Sequence, residues 1–350
     1  MKTKNKIVSL ALASALLTTS AFSQVTVSGY VETSILTGNT KQNINNGINP
    51  VASTKSIGNE SVIRMAGTGK MPNGQNASIS VQVDSDNAGI IHERGFDVGI
   101  ANGINFQYGF DRAFGSEIAR TLTPFATNRI SDVTATTGSV DFSDVTSGEH
   151  AVGFSFTDIV GKGSLVSFAY APNMDAATGT TNDGLVNTST QTGYGAGIKL
   201  TPIPSLTIGG GYTKADSKVA LNEDLTSKTL GFTYSQAPFA IGLQRVVTEG
   251  QKAAALATVS AEDIIDILSA TYGVNKDVTI GYARSEMERT RTTKSAADAE
   301  VNTFSIAYNL GPVVVSLDHE RAENVALAAT SNNVSGNDTN ITKAKVRVAF

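Results

Sequence analysis

Tight turns alternate regularly with long polar connections along residues 24–350. The short segments hold the glycine, proline, asparagine or aspartate that tight turns need. Together with the longer stretches they divide the chain into sixteen predicted strands. The short segments are 70–74, 102–103, 158–163, 202–205, 237–238, 275–277 and 311–312, and the long ones are 38–60, 85–92, 111–148, 173–190, 217–226, 250–263, 289–300 and 322–340.

The predicted strands alternate with a period of two residues. In 301–310 the larger apolar residues share one face, and the other face is small and polar. Such strands are typical of a wall between lipid and water. The sequence therefore predicts an all-β fold, a 16-stranded antiparallel transmembrane β-barrel with short periplasmic turns and long extracellular loops. A soluble β-sandwich is the alternative, but sandwiches lack the alternation of long and short connections and have bulkier aliphatic interiors.

The N-terminus predicts export. Lys2, Lys4 and Lys6 form a basic segment, residues 7–17 are mostly apolar, and Ala21 and Ser23 occupy the −3 and −1 positions of a cleavage site before Gln24. We therefore expect a secretory signal peptide over residues 1–23 and an outer-membrane barrel domain over 24–350. The mature chain then has 24 basic and 31 acidic residues, a formal charge of −7. The absence of cysteine excludes disulfides, cysteine nucleophiles and cysteine metal ligands.

Several segments carry motifs in a recognisable order. Residues 25–32 read VTVSGYVE, residues 62–69 read VIRMAGTG, residues 94–109 begin with arginine and end with glycine, and Phe350 closes an alternating strand. These segments resemble the motifs of the trimeric general porins of Gram-negative bacteria, the proteobacterial type in particular. The resemblance covers the first third of the mature chain and the last strand, and the middle agrees in its rhythm of strands and turns.

The resemblance implies a passive, water-filled channel for ions and small hydrophilic solutes, built as a homotrimer in outer-membrane lipid. In that family the third long loop, here 111–148, folds into the lumen and narrows it. Acids on the loop and basic residues on the facing wall would create a transverse field that favours polar solutes. The candidate constriction residues are Arg64, Arg94, Glu117, Asp132, Asp141 and Asp144. The period of two adds a basic lumen wall of Lys343, Lys345 and Arg347.

Two orientations follow from neighbouring residues. Arg64 has Ile63 and Met65 pointing the other way, so it is predicted to face the lumen. Arg94 is in conflict with its neighbours, because a lumen-facing Arg94 would also turn Phe96 inward and Asp97 outward. Either a bulge corrects the register or Arg94 lies in the rim loop. Arg245 and Arg284 fall on nominally lipid-facing positions, and we expect them near the rim.

The sequence also bears on partners and on other functions. Phe350 resembles the signal that outer-membrane proteins present to the barrel-assembly machinery. We expect no cofactor, no metal site, no nucleic-acid partner and no enzymatic activity, since no serine stands in a nucleophile motif and the three histidines lack a suitable partner. Residues 84–89 resemble the start of a calcium loop, but Gly95 replaces its closing acid. A substrate-specific channel and a structural or adhesive surface barrel remain alternatives.

Overall fold

The structure is a computed structural model in which sixteen strands form one closed antiparallel sheet, while a further two-residue strand, Gly47–Ile48, pairs only with Asn43 and Ile44 at the end of the first strand. It describes residues 22–44, 47–48, 52–84, 90–110, 115–120, 122–124, 150–172, 191–217, 224–250, 261–291, 298–329 and 334–350. The strands are β1 (Phe22–Ile44), β2 (Ala52–Lys70), β3 (Asn76–Asp84), β4 (Ile90–Ala101), β5 (Ile104–Phe110), β6 (His150–Thr157), β7 (Leu165–Ala171), β8 (Gln191–Ile203), β9 (Leu206–Ser217), β10 (Leu225–Gln236), β11 (Phe239–Glu249), β12 (Ala261–Gly273), β13 (Val278–Arg291), β14 (Ala299–Leu310), β15 (Val313–Ala329) and β16 (Val334–Ala349).

Each strand pairs with the next along the chain, and the pairing of β1 with β16 closes the barrel. At the seam, the backbone N–H of Phe350 donates to the carbonyl of Gly29 at 3.0 Å, and Gly29 donates back to Phe350 at 3.1 Å. Closure matters because lipid offers no hydrogen-bond partner to a free strand edge. The predicted 16-stranded all-β barrel is therefore confirmed.

The seven predicted short turns all join consecutive strands. Gly103 and Gly311 occupy two of them with φ of 74° and 68°, a conformation that glycine adopts without strain. The predicted long connections 38–60 and 322–340 are wrong in extent. β1 and β2 stay paired out to Thr40 and Ala52, and β15 and β16 out to Ala329 and Val334. Polar residues there continue the ladder, because hairpin pairing satisfies their backbone groups as well as water does.

Near the short turns, the outer face of the wall is apolar and the inner face is small and polar, as the sequence predicts. In β14, Phe304, Ile306 and Tyr308 are exposed on the outer face, whereas Thr303 and Ser305 are buried on the inner face. An aromatic pair, Phe239 and Tyr272, lies at the turn end of β11 and β12 with ring centroids 4.8 Å apart. No helix in the described part of the chain has the length and hydropathy needed to cross a membrane.

At the ends of β11–β14 that lie far from the short turns, the charged side chains face outward and the apolar side chains face the lumen. Outside, Arg245 forms a bidentate ion pair with Asp266 at 2.6 and 2.5 Å. The two arginines expected near the rim thus face outward, and Arg284 is paired with Glu286 and Glu300. The inner face at this level is apolar and buried, formed by Val246, Ile265, Ile267, Ala283, Met287, Ala299 and Val301. Charged groups outside and apolar groups inside indicate strands that extend beyond the hydrocarbon layer into water.

Candidate functional site: the lumen between a docked loop and a charged wall

A segment of the third long loop lies inside the barrel. Residues Gly115–Ala119 form a short 3-10 helix, and residues 122–124 follow it along the inner wall. Ala119 and Leu122 are 0% and 1% exposed, and the backbone N–H of Gly115 donates to Oγ of Ser167 on β7 at 2.7 Å. The prediction that this loop folds into the lumen is confirmed for the described residues.

Glycines on the inner wall make the space for this segment. A Cβ atom on Gly197 of β8 would lie 2.5 Å from the carbonyl oxygen of Gly115. One on Gly209 of β9 would lie 2.6 Å from Leu122, and one on Gly242 of β11 would lie 2.7 Å from Pro124. Real Cβ atoms do not approach other atoms so closely. The three glycines therefore form a groove for the segment, because any larger residue at these positions would collide with it.

Polar contacts hold the segment in the groove. Gln244 of β11 is 3% exposed, and its Nε2 donates to the carbonyl oxygens of Ala119 at 3.1 Å and Arg120 at 3.3 Å. Its Oε1 accepts from the backbone N–H of Leu122 at 3.3 Å. The hydroxyl of Thr233 on β10 also donates to the carbonyl of Leu122. The segment is therefore fixed against β7–β11 rather than suspended across the lumen.

The barrel wall opposite the docked segment is charged. Glu32 of β1 accepts a hydrogen bond from Nε of Arg347 on β16 at 2.8 Å, and Nζ of Lys345 lies 4.0 Å from the same carboxylate. The guanidinium of Arg347 lies 4.0 Å above the ring of Tyr30, whose hydroxyl donates to Glu60 of β2. Arg347 lies near the turn end of β16, as Gly242 does in β11, so the loop and this wall share a level of the barrel.

Acidic residues of β15 adjoin the basic strand. In the register of β15 and β16, Asp318 is opposite Lys343 and Ser316 is opposite Lys345. Asp318 and Glu320 are both 0% exposed on the inner face. Lys343, Lys345 and Arg347 lie on the lumen side, as the period of two predicts, but carboxylates surround them. Because these carboxylates partly neutralise the basic wall, its net charge is smaller than the sequence of β16 alone suggests.

The two candidate arginines lie on opposite faces of the barrel wall. Arg64 of β2 is opposite Ser28 and Gln82 on the inner face and is exposed to the lumen. Arg94 of β4 is opposite Val81 and shares the outer face with Phe96. Asp97 faces inward instead, where it accepts hydrogen bonds from Ser78 at 3.0 Å and from Gln107 at 2.9 Å. The expected lumen position of Arg94 is therefore wrong, because the strand turns its small and acidic residues to the water side.

The acidic candidates of the loop are only partly described. Glu117 belongs to the 3-10 helix, but its side chain lies outside the described residues, as do Asp132, Asp141 and Asp144 altogether. The groups that sequence reasoning missed are Gln244, Tyr30, Glu32 and the wall glycines. The run Gly209–Gly211 was a usable signal, since glycines inside a strand often mark close approach of another backbone.

A closed transmembrane barrel with a loop docked inside a polar, charged lumen defines the class of protein as an outer-membrane diffusion channel. Comparison with known families agrees, since the model of the Gram-negative porin family matches residues 9–346. The chain belongs to the Gram-negative porin family, and it is an outer-membrane channel for passive diffusion. Comparison with curated proteins found no match.

Solved structures share the fold at low sequence identity. A porin refined at high resolution is 14% identical, with a TM-score of 0.65 over 93% of this chain and 100% of its own. An anion-selective porin from Comamonas acidovorans is 16% identical, with a TM-score of 0.62 over 93% of this chain and 99% of its own. The trimer form of OmpT from Vibrio cholerae is 12% identical, with a TM-score of 0.62 over 93% and 99%.

Proposed function

We propose that solutes cross this channel through the space between the docked segment, residues 115–120 and 122–124, and the charged wall of β1, β2, β15 and β16. The observation that carries the proposal is the fixed position of the loop, which Gln244 and the glycine groove hold against one side of the lumen. With this segment on one side, the polar face of the opposite wall borders the space that it faces. Water and hydrated ions can follow such a surface, and no energy coupling or cofactor is needed.

Arg64 is the first candidate for a residue that shapes ion preference. Its side chain is exposed on the inner face of β2, and a single charge beside a narrow passage biases the ions that enter it. The loop acids Glu117, Asp132, Asp141 and Asp144 remain candidates for the opposing charges. Arg94 is not a candidate, since it faces outward.

We also propose a homotrimer. Val27, Val31, Ile57, Ile63 and Met65 are exposed on the outer faces of β1 and β2. A second barrel would cover this apolar surface as well as lipid does, and one structural relative is described as a trimer form. We further propose that residues 1–23 are removed on export and that Phe350 is read by the assembly machinery.

We infer that the channel is not an enzyme. His319, the histidine whose side chain is described, lies on the outer face of β15, and its Nδ1 is 2.9 Å from Oγ1 of Thr342. A histidine on the outer wall cannot act on a solute inside the lumen.

Single-channel recording of the purified protein in a planar bilayer tests the proposal. We expect stable, large conductance steps that group in threes, and a reversal potential in a KCl gradient that changes with Arg64→Ala. The matched control is Lys55→Ala, which removes one positive charge from the outer face of β2. Absence of conductance from a folded, inserted barrel would refute the open channel, and an unchanged reversal potential in Arg64→Ala would remove Arg64 from the constriction.

A further inference from the structure

Two contacts fix the side chain of Arg347. Its Nε donates to Glu32, and its guanidinium plane rests above the ring of Tyr30. The ring is itself fixed, because the Tyr30 hydroxyl donates to Glu60 on the next strand. An arginine side chain that is already ordered loses little conformational entropy when it contacts a ligand.

The charges of this wall are unequally exposed. The side chain of Arg347 is 40% exposed, whereas that of Glu32 is 5% exposed. Asp318 and Glu320 are fully buried in the wall. The guanidinium is therefore accessible from the lumen at this level, while the Glu32 carboxylate that orients it stays buried in the wall.

We propose that Arg347, positioned by Tyr30 and Glu32, is a contact site for the carboxylate or phosphate group of small anionic solutes. The guanidinium fork matches both groups in a way that a lysine ammonium does not. This inference rests on the proposed diffusion function and names the class of solute that the passage holds transiently. Arg347 is the contact residue, and Tyr30 is a positioning residue that carries no charge at neutral pH.

The test uses single-channel currents of the full-length protein with inorganic phosphate or succinate added as the probe. Arg347→Gln should lower the permeability ratio of chloride to potassium by at least about fourfold, because one unit charge about 5 Å from an ion in water changes the local concentration of that ion about fourfold. The concentration of phosphate that halves the current should rise by a similar factor. The control is Arg321→Gln, which removes the same charge from the outer face of β15, where Arg321 pairs with Glu323.

Two further variants separate charge from geometry. Arg347→Lys keeps the charge, so we expect the permeability ratio to stay near that of the wild type while the phosphate block weakens. Tyr30→Leu leaves every charge in place and removes the ring below the guanidinium, so it should weaken the block in the same way. Both variants still test the contact site if Arg347→Gln does not fold.

Different results would contradict the diffusion function and the contact site at Arg347. A barrel without conductance contradicts the diffusion function itself. A conducting channel in which Arg347→Gln behaves like Arg321→Gln contradicts the contact site alone. A conducting channel in which Tyr30→Leu retains the full phosphate block shows that only the charge matters, and overturns the positioning role.

Discussion

Gln244 of β11 and Leu122 of the third loop are joined through the interior of the barrel. The side-chain carbonyl of Gln244 accepts the backbone N–H of Leu122 at 3.3 Å, although 122 positions separate the two residues in the sequence. The Nε2 of the same side chain also donates to Oγ1 of Thr229 on β10 at 2.8 Å. One buried amide therefore connects two wall strands to the segment that narrows the lumen.

Loss of this amide should release the loop. Gln244→Ala removes the hydrogen bonds to Ala119, Arg120 and Leu122, each worth about 1 kcal/mol. We expect frequent brief closures in single-channel recordings, because the segment leaves the wall and enters the passage. Gln82→Ala is the control, since Gln82 lies on the inner face of β3 and contacts Asp84. Quiet, open currents from Gln244→Ala would contradict this role.

A side chain added in the glycine groove should displace the docked segment. In Gly209→Val the new side chain occupies the position of Leu122 and pushes the loop toward the opposite wall. We expect smaller conductance steps and a lower size limit for sugars in liposome swelling. Gly210→Val is matched to it in sequence and size but lies on the outer face of β9, so its steps should equal those of the wild type. Equal steps from the two variants would exclude a groove fitted to the loop.

The apolar cluster on the inner face of β11–β14 should stabilise the barrel. Ile265 is 1% exposed there, and Ile265→Ala should lower the free energy of unfolding by about 2–4 kcal/mol through lost burial and the cavity left behind. Leu268→Ala is the control on the outer face of β12, where the side chain is 39% exposed and its removal leaves no enclosed cavity. Urea titration in lipid vesicles measures both, and a larger loss for Leu268→Ala would contradict a packed interior at this level.

The last residue should matter for assembly more than for the finished barrel. Phe350 and Phe239 are both 63% exposed, but only Phe350 pairs with Gly29 at the seam between β1 and β16. We expect Phe350→Ala to reduce the amount of protein in the outer membrane of cells several-fold, and Phe239→Ala to reduce it less. Both should refold similarly in detergent. A Phe350→Ala protein that reaches the membrane at the wild-type level would argue against an assembly signal.

The strand order and the seven turns were predictable because they depend on local chemistry. A period of two places Lys345 and Arg347 on one face, and Gly103 or Gly311 marks a turn without reference to the rest of the chain. The inversion of polarity along β12 was not predictable, since Asp266 and Ile267 give no local sign of where the bilayer ends.

The loop contacts and the charge pairs were beyond sequence reasoning for a related reason. Gln244 meets Leu122, and Glu32 meets Arg347, only when the barrel has closed. The orientation of Arg94, by contrast, follows from plain alternation, since Arg94 is opposite Val81, Phe96 is opposite Ile79, and the register shift between Gln82 and Val83 lies beyond them. The neighbouring residues therefore indicated an outward Arg94, and the position of Arg94 in the motif did not.

Thiol modification of single-cysteine variants can show whether a water-filled passage runs along the inner face of β2, because the natural chain contains no cysteine. Arg64→Cys places a thiol on the lumen face of β2, and Met65→Cys places one on the outer face, where Met65 is 46% exposed. We predict that a small anionic, thiol-reactive reagent added to conducting channels reduces the current of Arg64→Cys and leaves that of Met65→Cys unchanged. A current that is insensitive in Arg64→Cys, or equally reduced in both variants, would contradict a water-filled passage along this wall.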